Sequence, residues 1–415
     1  MGSDYTLKFK DLVIGFTSEF DAVWNDKGSG ADQNGAFYRP IPPSGFYAVG
    51  HLGVRGYNTP KNAVMLVVKE DQGNSPALAK PEGYDRVWND KGSGAHEDGA
   101  FWLPRAPHGY VALGLVATRG HDNEPSRDDI RCVRTDLVAA GLPGPAIWKD
   151  KGSGADKDFA SWAVLAPSSA AENEGYVAAG TFFGSDSYKE PGTSPVLNVL
   201  RVKLDPPNSP TSWPQLPTLA EVLAGQTIKH SYSYRVPFFA VNDSGLSDAQ
   251  KLKLSPSYIV QRTDEFVAQQ QYLNATTGSQ SFTWQVAEGF SESDINSFSE
   301  TTGIETTISA KASEGAIIES AEVSFSLKLS QSFTYGFQRS KTTSTTTTRT
   351  FPVVVPPGKL TVLWSVRSSF RVFRSDGTAL GSELTGIAPN SVAVAEYAPP
   401  AGAHVDLAKF MATHA

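Results

Sequence analysis

Residues 23–31, VWNDKGSGA, return almost unchanged at residues 87–95 (VWNDKGSGA) and 147–155 (IWKDKGSGA). The tryptophans of these three copies are 64 and 60 residues apart. Each copy continues with an aromatic residue 14 positions after its tryptophan, and then with a segment in which glycines flank an aromatic residue and an alanine. The first half of the chain is therefore an internal repeat of about 60 residues, present three times.

Each repeat predicts short antiparallel strands, because alternating apolar positions are separated by Gly, Pro, Asn and Asp. The strands expected after the motif lie at residues 45–50 and 64–69, at 109–114 and 130–134, and at 175–180 and 196–203. Three or four strands bury only one face, so three copies should close around a shared core as a three-sided β-prism. We expect the repeated tryptophan to fill that core, with its indole N–H donating to a buried carbonyl.

Composition and charge exclude several classes of function. The chain has a net charge of −7 and no cluster of basic residues along its sequence, so nucleic acid is not an expected partner. The chain has no run of 18 apolar residues and no signal-peptide core after Met1, which predicts a soluble protein released or secreted without a recognisable signal peptide. The single cysteine, Cys132, can form no intramolecular disulfide and is expected to be a buried structural thiol.

Catalytic and cofactor motifs are not evident. The seven histidines show no metal-ligand spacing, and no nucleophile elbow, phosphate loop or dinucleotide fingerprint is present. We therefore predict no enzymatic activity, no cofactor and no metal. A carbohydrate-active enzyme is a third interpretation, for which the sequence singles out no residues.

The second half of the chain predicts a separate β-rich domain. A proline-dense linker at residues 205–218 divides the repeats, residues 4–204, from residues 219–402, and residues 403–415 form a tail. Long strands are expected at residues 231–239, 257–262, 281–287 and 360–373.

Residues 304–330 form two arms of strictly alternating apolar and polar residues around an apolar tip. Each arm is nine residues long, which is about the length that a tilted strand needs to cross a bilayer core. The positions expected to insert into the membrane are Ile304, Ile308, Ala310, Ala312, Ala316, Ile317, Ile318, Ala321, Val323, Phe325, Leu327 and Leu329. The charged positions expected to face a watery lumen are Glu305, Lys311, Glu322 and Lys328. The alternative is an ordinary hairpin of a β-sandwich, with one face packed and one face in water.

The repeated loops are the other candidate site. Their carboxylates and hydroxyls could bind a receptor or a glycan, through Asp26, Ser29, Asp90, Ser93, Asp150 and Ser153. The alternative is structural, since the glycines supply left-handed turns and an aspartate caps its own turn. A calcium site is less favoured, because the spaced aspartates of a calcium loop are missing.

The repeats resemble those of the vacuolar protein sorting protein 62 family over roughly residues 5–204, through the WxDKGSGA motif and the Gly-aromatic segment that follows it. The third copy departs from the pattern at Lys149, Phe159 and Val164, which puts a ligand site there in doubt. Residues 219–400 look like the pore-forming module of aerolysin-type toxins, in which an amphipathic Ser/Thr-rich hairpin joins its neighbours in a β-barrel.

These resemblances imply an all-β chain in which a three-repeat β-prism precedes an elongated aerolysin-like antiparallel domain. They also imply a β-pore-forming toxin, of a kind often insecticidal, that binds a surface glycan or protein receptor on a target-cell membrane and forms a homo-oligomer. The alternative from another class is a lectin-like binding or defence protein whose second domain is a static β-sandwich.

Overall fold

The computed structural model describes residues 6–71, 76–169, 174–203, 215–226, 228–310, 321–327, 336–337 and 346–399. These residues form mostly antiparallel strands, which confirms the predicted all-β fold class. The chain divides into two compact units. Unit 1 takes the described residues within Met1–Asp205, Pro237–Ser257 and Leu327–Gln338, and unit 2 takes those within Pro206–Val236, Tyr258–Ser326 and Arg339–Ala415.

The three repeats supply the first nineteen strands and one short 3₁₀ turn at Thr135–Leu137. The strands are β1 (Leu7–Phe9), β2 (Leu12–Thr17), β3 (Phe20–Asn25), β4 (Gly35–Pro40), β5 (Leu52–Arg55), β6 (Met65–Glu70), β7 (Leu78–Ala79), β8 (Gly83–Asn89), β9 (Gly99–Arg105), β10 (Tyr110–Val111), β11 (Val116–Arg119), β12 (Cys132–Arg134), β13 (Val138–Ala140), β14 (Leu142–Lys149), β15 (Ala160–Leu165), β16 (Ser168–Ser169), β17 (Glu174–Val177), β18 (Phe182–Ser185) and β19 (Asn198–Lys203).

Each repeat builds the same pair of three-stranded sheets. The first set is β3-β4-β5, β8-β9-β11 and β14-β15-β18, and the second is β1-β2-β6, β7-β12-β10 and β13-β19-β17. In the first set, a β-bulge precedes each repeated tryptophan, at Ala22/Trp24, Arg86/Trp88 and Ala146/Trp148. A bulge bends its strand and re-aims the next side chain, so the same irregularity places all three indoles in the core.

The three tryptophans meet in the interior of unit 1. The ring centroids of Trp24, Trp88 and Trp148 are 5.4–5.6 Å apart, in edge-to-face arrangements. Such geometry is favoured for aromatic rings, and burial of three indoles removes a large apolar area from water. Cys132 is also fully buried, as expected, and burial raises the pKa of its thiol to about 12.

Pro237–Ser257 packs with the repeats, although it lies within residues 219–402, which were expected to form the second domain. Phe238 and Phe239 are fully buried, and their rings lie 5.0 and 5.5 Å from that of Phe16 in β2. Lys253 also forms an ion pair with Glu19 at 2.7 Å. Apolar burial therefore assigns this segment to unit 1, whereas residues 204–214 lie outside the described part of the chain.

The remaining elements follow residue 215, with a second 3₁₀ turn at Phe238–Ala240. They are α1 (Leu219–Ala224), β20 (Lys229–Pro237), α2 (Asp248–Leu254), β21 (Ser257–Leu273), β22 (Gln280–Glu288), α3 (Glu292–Thr302), β23 (Ile304–Ala310), β24 (Ala321–Leu327), β25 (Gly336–Phe337), β26 (Thr347–Val355), β27 (Leu360–Arg374), β28 (Ala379–Ile387) and β29 (Ala393–Tyr397).

Unit 2 is built on two long strands, β21 and β27, which pair antiparallel from Tyr258↔Arg374 to Leu273↔Leu360. Strands β20, β28 and β29 extend this sheet, while β22 pairs with β26. One face of the long pair is apolar and packs beneath α1, around the fully buried Trp364. Its indole donates to the hydroxyl of Tyr397 at 3.0 Å, so this buried polar group is satisfied.

Candidate functional site

The aspartates of the repeated loops are buried and close their own turns. Asp26, Asp90 and Asp150 are 1–3 % exposed. Each Oδ1 accepts the backbone N–H nine residues onward, at 2.8–3.0 Å. A buried carboxylate that satisfies a backbone donor stabilises the loop, which is the structural interpretation of the motif.

The serines of the same loops also have internal partners. The hydroxyls of Ser29, Ser93 and Ser153 accept the N–H two residues onward, at 3.1–3.2 Å, and these serines are 5–7 % exposed. The six side chains expected to bind a receptor are therefore buried and hydrogen-bonded within their own loops. Their role in receptor binding stays a prediction.

The three loops interlock in a ring that runs from one repeat to the next. The indole N–H of each repeated tryptophan donates to a backbone carbonyl, as the sequence predicted. The structure adds that each carbonyl belongs to another repeat: Trp24 donates to Glu97, Trp88 to Lys157 and Trp148 to Gln33, at 2.7–3.0 Å. Backbone hydrogen bonds also connect each loop to the next. The N–H groups of Asp32, His96 and Asp156 donate to the carbonyls of Lys151, Lys27 and Lys91, respectively, at 2.7–2.8 Å. The exposed side chains of this loop ring are Lys27, Lys91, Lys151, Asp32, His96 and Asp156.

The two arms of the predicted hairpin are strands that pair with each other. Strands β23 and β24 form a two-stranded sheet. Helix α3 leads into β23 through Gly303, whose left-handed φ of 71° ends the helix. The proposed tip and the ends of the arms, residues 311–320 and 328–330, lie outside the described residues.

The other face of the long sheet in unit 2 carries a polar cleft of about 550 Å³. Glu265 lies in it, 2.8 Å from Lys229, and accepts from Nε of Arg367 at 2.7 Å. Burial alone would raise the pKa of Glu265, but the hydrogen bonds from Lys229 and Arg367 outweigh it and hold the pKa below its ordinary value. Arg371 and Glu383 form a second pair at 2.6 Å. Both carboxylates of the cleft are thus ion-paired, and its lining carries three cationic and two anionic side chains.

A third cluster was not predicted from the sequence. His121 Nε2 lies 2.9 Å from Asp90 Oδ1 and 3.4 Å from Asp98 Oδ1. One oxygen from each aspartate and one imidazole nitrogen all lie within 4.8 Å of one another. Alignment of the repeats could have pointed to His121, because it occupies the position of Tyr57 in the first repeat. Each of these residues follows the tryptophan of its repeat by 33 residues.

Within the ranges that the structure describes, no helix is both long enough and apolar enough to cross a bilayer.

Comparison with known proteins identifies the repeat region. The family model described as vacuolar protein sorting-associated protein 62 matches residues 3–240. That range ends in the segment that packs with the repeats in unit 1. No curated protein matches the chain significantly.

The solved structures similar to the chain include GNIP1Aa and Cry35Ab1. GNIP1Aa from Chromobacterium piscinae has 32% sequence identity and a TM-score of 0.39, over 44% of this chain and 34% of that one. The chain thus spans about a third of the length of GNIP1Aa. Cry35Ab1 has 9% identity and a TM-score of 0.35, over 94% of this chain and 91% of that one. Since the family model covers more than half of the sequence, the chain belongs to the vacuolar protein sorting-associated protein 62 family.

Proposed function

We propose that the chain is a β-pore-forming toxin with an insect gut cell as its target. Unit 1 binds a glycan or a protein receptor on the target-cell membrane. Several chains then assemble, and residues 304–330 of each contribute one hairpin to a transmembrane β-barrel. The proposal rests on the resemblance of the second half of the chain to aerolysin-type modules and on the pairing of β23 with β24.

The pairing of β23 with β24 is the main structural observation that supports pore formation. A barrel strand presents alternate residues to lipid and to water, and residues 304–310 and 321–327 alternate in this way. Many of the polar positions are Ser or Thr, which line a lumen without the cost of burying charge. The arms already pair as neighbours, so insertion would require them to lengthen and join other hairpins rather than to find each other.

The exposed side chains of the loop ring form the proposed receptor-binding surface. Three lysines alternate there with two aspartates and His96, and the ring is formed by all three repeats together. Such a surface offers cationic donors and carboxylate acceptors for sugar hydroxyls or for a polar protein patch.

Leakage of a trapped dye from insect midgut brush-border vesicles tests the proposal. The wild-type chain should release the dye. Ile308→Lys should abolish release, because a lysine facing lipid at mid-bilayer costs about 2–4 kcal/mol in each subunit. Ser309→Lys is the matched control on the other face of the same strand and should still release dye, since its side chain would face the lumen.

Equal leakage by both variants would show that the alternation does not determine insertion. Binding of the wild-type chain to vesicles that stay intact would favour the lectin-like alternative, in which the second domain is a static β-sandwich. Under that alternative, both lysine variants should bind as the wild-type chain does.

A further inference from the structure

The second repeat differs from its two sisters at one position beside its buried aspartate. In the first repeat the Tyr57 hydroxyl donates to Asn34 Oδ1 at 3.0 Å, and in the third the Tyr188 hydroxyl donates to Asp158 Oδ1 at 2.9 Å. Hydrogen bonds to Asp26 and to Asp150 also contribute, after burial, to raising the pKa of these two tyrosines. A phenol therefore closes over the buried aspartate in two repeats, whereas His121 takes its place in the second.

The hydrogen-bonding capacity of His121 does not match its surroundings. Two carboxylate oxygens lie 2.9 and 3.4 Å from the same ring nitrogen, Nε2. That nitrogen carries at most one hydrogen, so it can donate a well-aligned bond to only one of them. A cation between the three atoms would satisfy both carboxylates and the imidazole lone pair together.

The distances fit a small tetrahedral ion. Zinc binds nitrogen and oxygen ligands at about 2.0–2.2 Å, which places neighbouring ligand atoms about 3.3 Å apart. The distances from His121 Nε2 to Asp90 Oδ1, 2.9 Å, and to Asp98 Oδ1, 3.4 Å, lie on either side of that value. All three candidate ligand atoms lie within 4.8 Å of one another, as expected of side chains that could share one ion.

The cluster is both anchored and accessible. Asp90 is buried and fixed by the Gly99 N–H at 2.8 Å, while the carbonyl of His121 accepts from Arg86 at 3.0 Å. The Asp98 side chain, by contrast, is 62% exposed and that of His121 is 27% exposed. Three protein ligands leave a fourth position, on the exposed side of the cluster, for water or for a ligand group, unlike a closed structural zinc site with four protein ligands.

We propose that Asp90, Asp98 and His121 bind one divalent transition metal, Zn²⁺ by preference, on the second repeat. The donor set selects the metal, because an imidazole with two carboxylates suits zinc, whereas calcium takes six to eight oxygen ligands. The two negative charges of the aspartates are neutralised by the ion. The open position would then let the metal contact a polar group of a partner molecule.

Isothermal titration of the full-length, chelator-treated chain with Zn²⁺ at neutral pH tests the site. The wild-type chain should bind one equivalent. His121→Tyr copies both sister repeats and Asp98→Asn copies the first, so both variants should fold. Each should weaken zinc binding by at least about 100-fold, since even the loss of a residue that only supports a metal ligand costs 10–100-fold in affinity. His96→Asp, which copies the other two loops at an exposed position, should bind as the wild-type chain does.

Absorption spectra with Co²⁺ provide a second readout, with tetrahedral bands in the wild-type chain and none in His121→Tyr. Tighter binding of Ca²⁺ than of Zn²⁺ would overturn the proposal. So would equal binding by the wild-type chain and His121→Tyr, or no zinc binding by the wild-type chain, which would make His121 a hydrogen-bonded substitute for tyrosine.

Discussion

At the scale of residues, the repeated motif is accounted for by packing around three indoles. A Cβ atom on Gly35 would lie 2.5 Å from the ring of Trp148, so the neighbouring repeat requires glycine there. The third repeat has Phe159 at the matching position and Ser161 where the others have phenylalanine. Phe159 packs 5.7 Å from Trp88, so the third repeat supplies its core aromatic ring two residues earlier. The sequence predicted the tryptophan core, but this exchange depends on contacts between repeats.

His51 gives unit 1 a specific sensitivity to acid. Its imidazole is 1% exposed, and Nδ1 accepts the N–H of Ala117 at 3.1 Å. Burial, with a smaller effect from the positive charge of Arg39, lowers the pKa of His51 to about 3. The unfolded chain takes up a proton below about pH 6.5, whereas the folded chain does not until about pH 3. Between these values the free energy of unfolding should fall by about 1.4 kcal/mol for each pH unit lost.

Denaturant unfolding across this pH range measures the effect. His51→Gln keeps a hydrogen-bond acceptor near Ala117 but cannot titrate, so its stability should depend less steeply on pH. His108→Gln, at an exposed position, is the control and should leave the slope unchanged. Identical slopes for all three chains would mean that His51 is not held neutral by burial.

At the scale of elements, alternation predicted long strands well and glycine-rich strands poorly. Strand β27, expected at residues 360–373, spans Leu360–Arg374. Residues 45–50 were expected to form a strand, but only Tyr47 bridges to Val68. Gly45 has a left-handed φ of 79°, which interrupts an extended backbone. The same segment is a two-residue strand in the second copy, β10, and a four-residue strand in the third, β17, so the shared pattern gives a full-length strand in none of the three.

The segment Pro237–Ser257 should contribute strongly to the stability of unit 1. Phe238→Ala removes a fully buried ring that contacts Phe16 and Phe239, and should lower the free energy of unfolding by about 3–5 kcal/mol. Leu254→Ala, in the same segment but 63% exposed, is the matched control and should cost little. Differential scanning calorimetry of the full chain measures both changes. Equal effects of the two variants would show that the segment is not part of the core of unit 1.

At the scale of the whole molecule, the sequence predicted what depends on local pattern and missed what depends on distant contacts. The three repeats, the β-rich second half and the paired arms after Gly303 all follow from periodicity. The assignment of Pro237–Ser257 to unit 1 depends on Phe238 reaching Phe16, across more than 200 residues of sequence. The approach of His121 to Asp90 depends in the same way on how the second repeat folds.

Electron microscopy of the chain after incubation with insect midgut brush-border vesicles would show directly whether it forms a pore. The proposed function predicts ring-shaped oligomers embedded in the vesicle membrane, with each subunit contributing one hairpin to a central barrel. Monomers alone, bound to the outside of intact vesicles or free in solution, would contradict it.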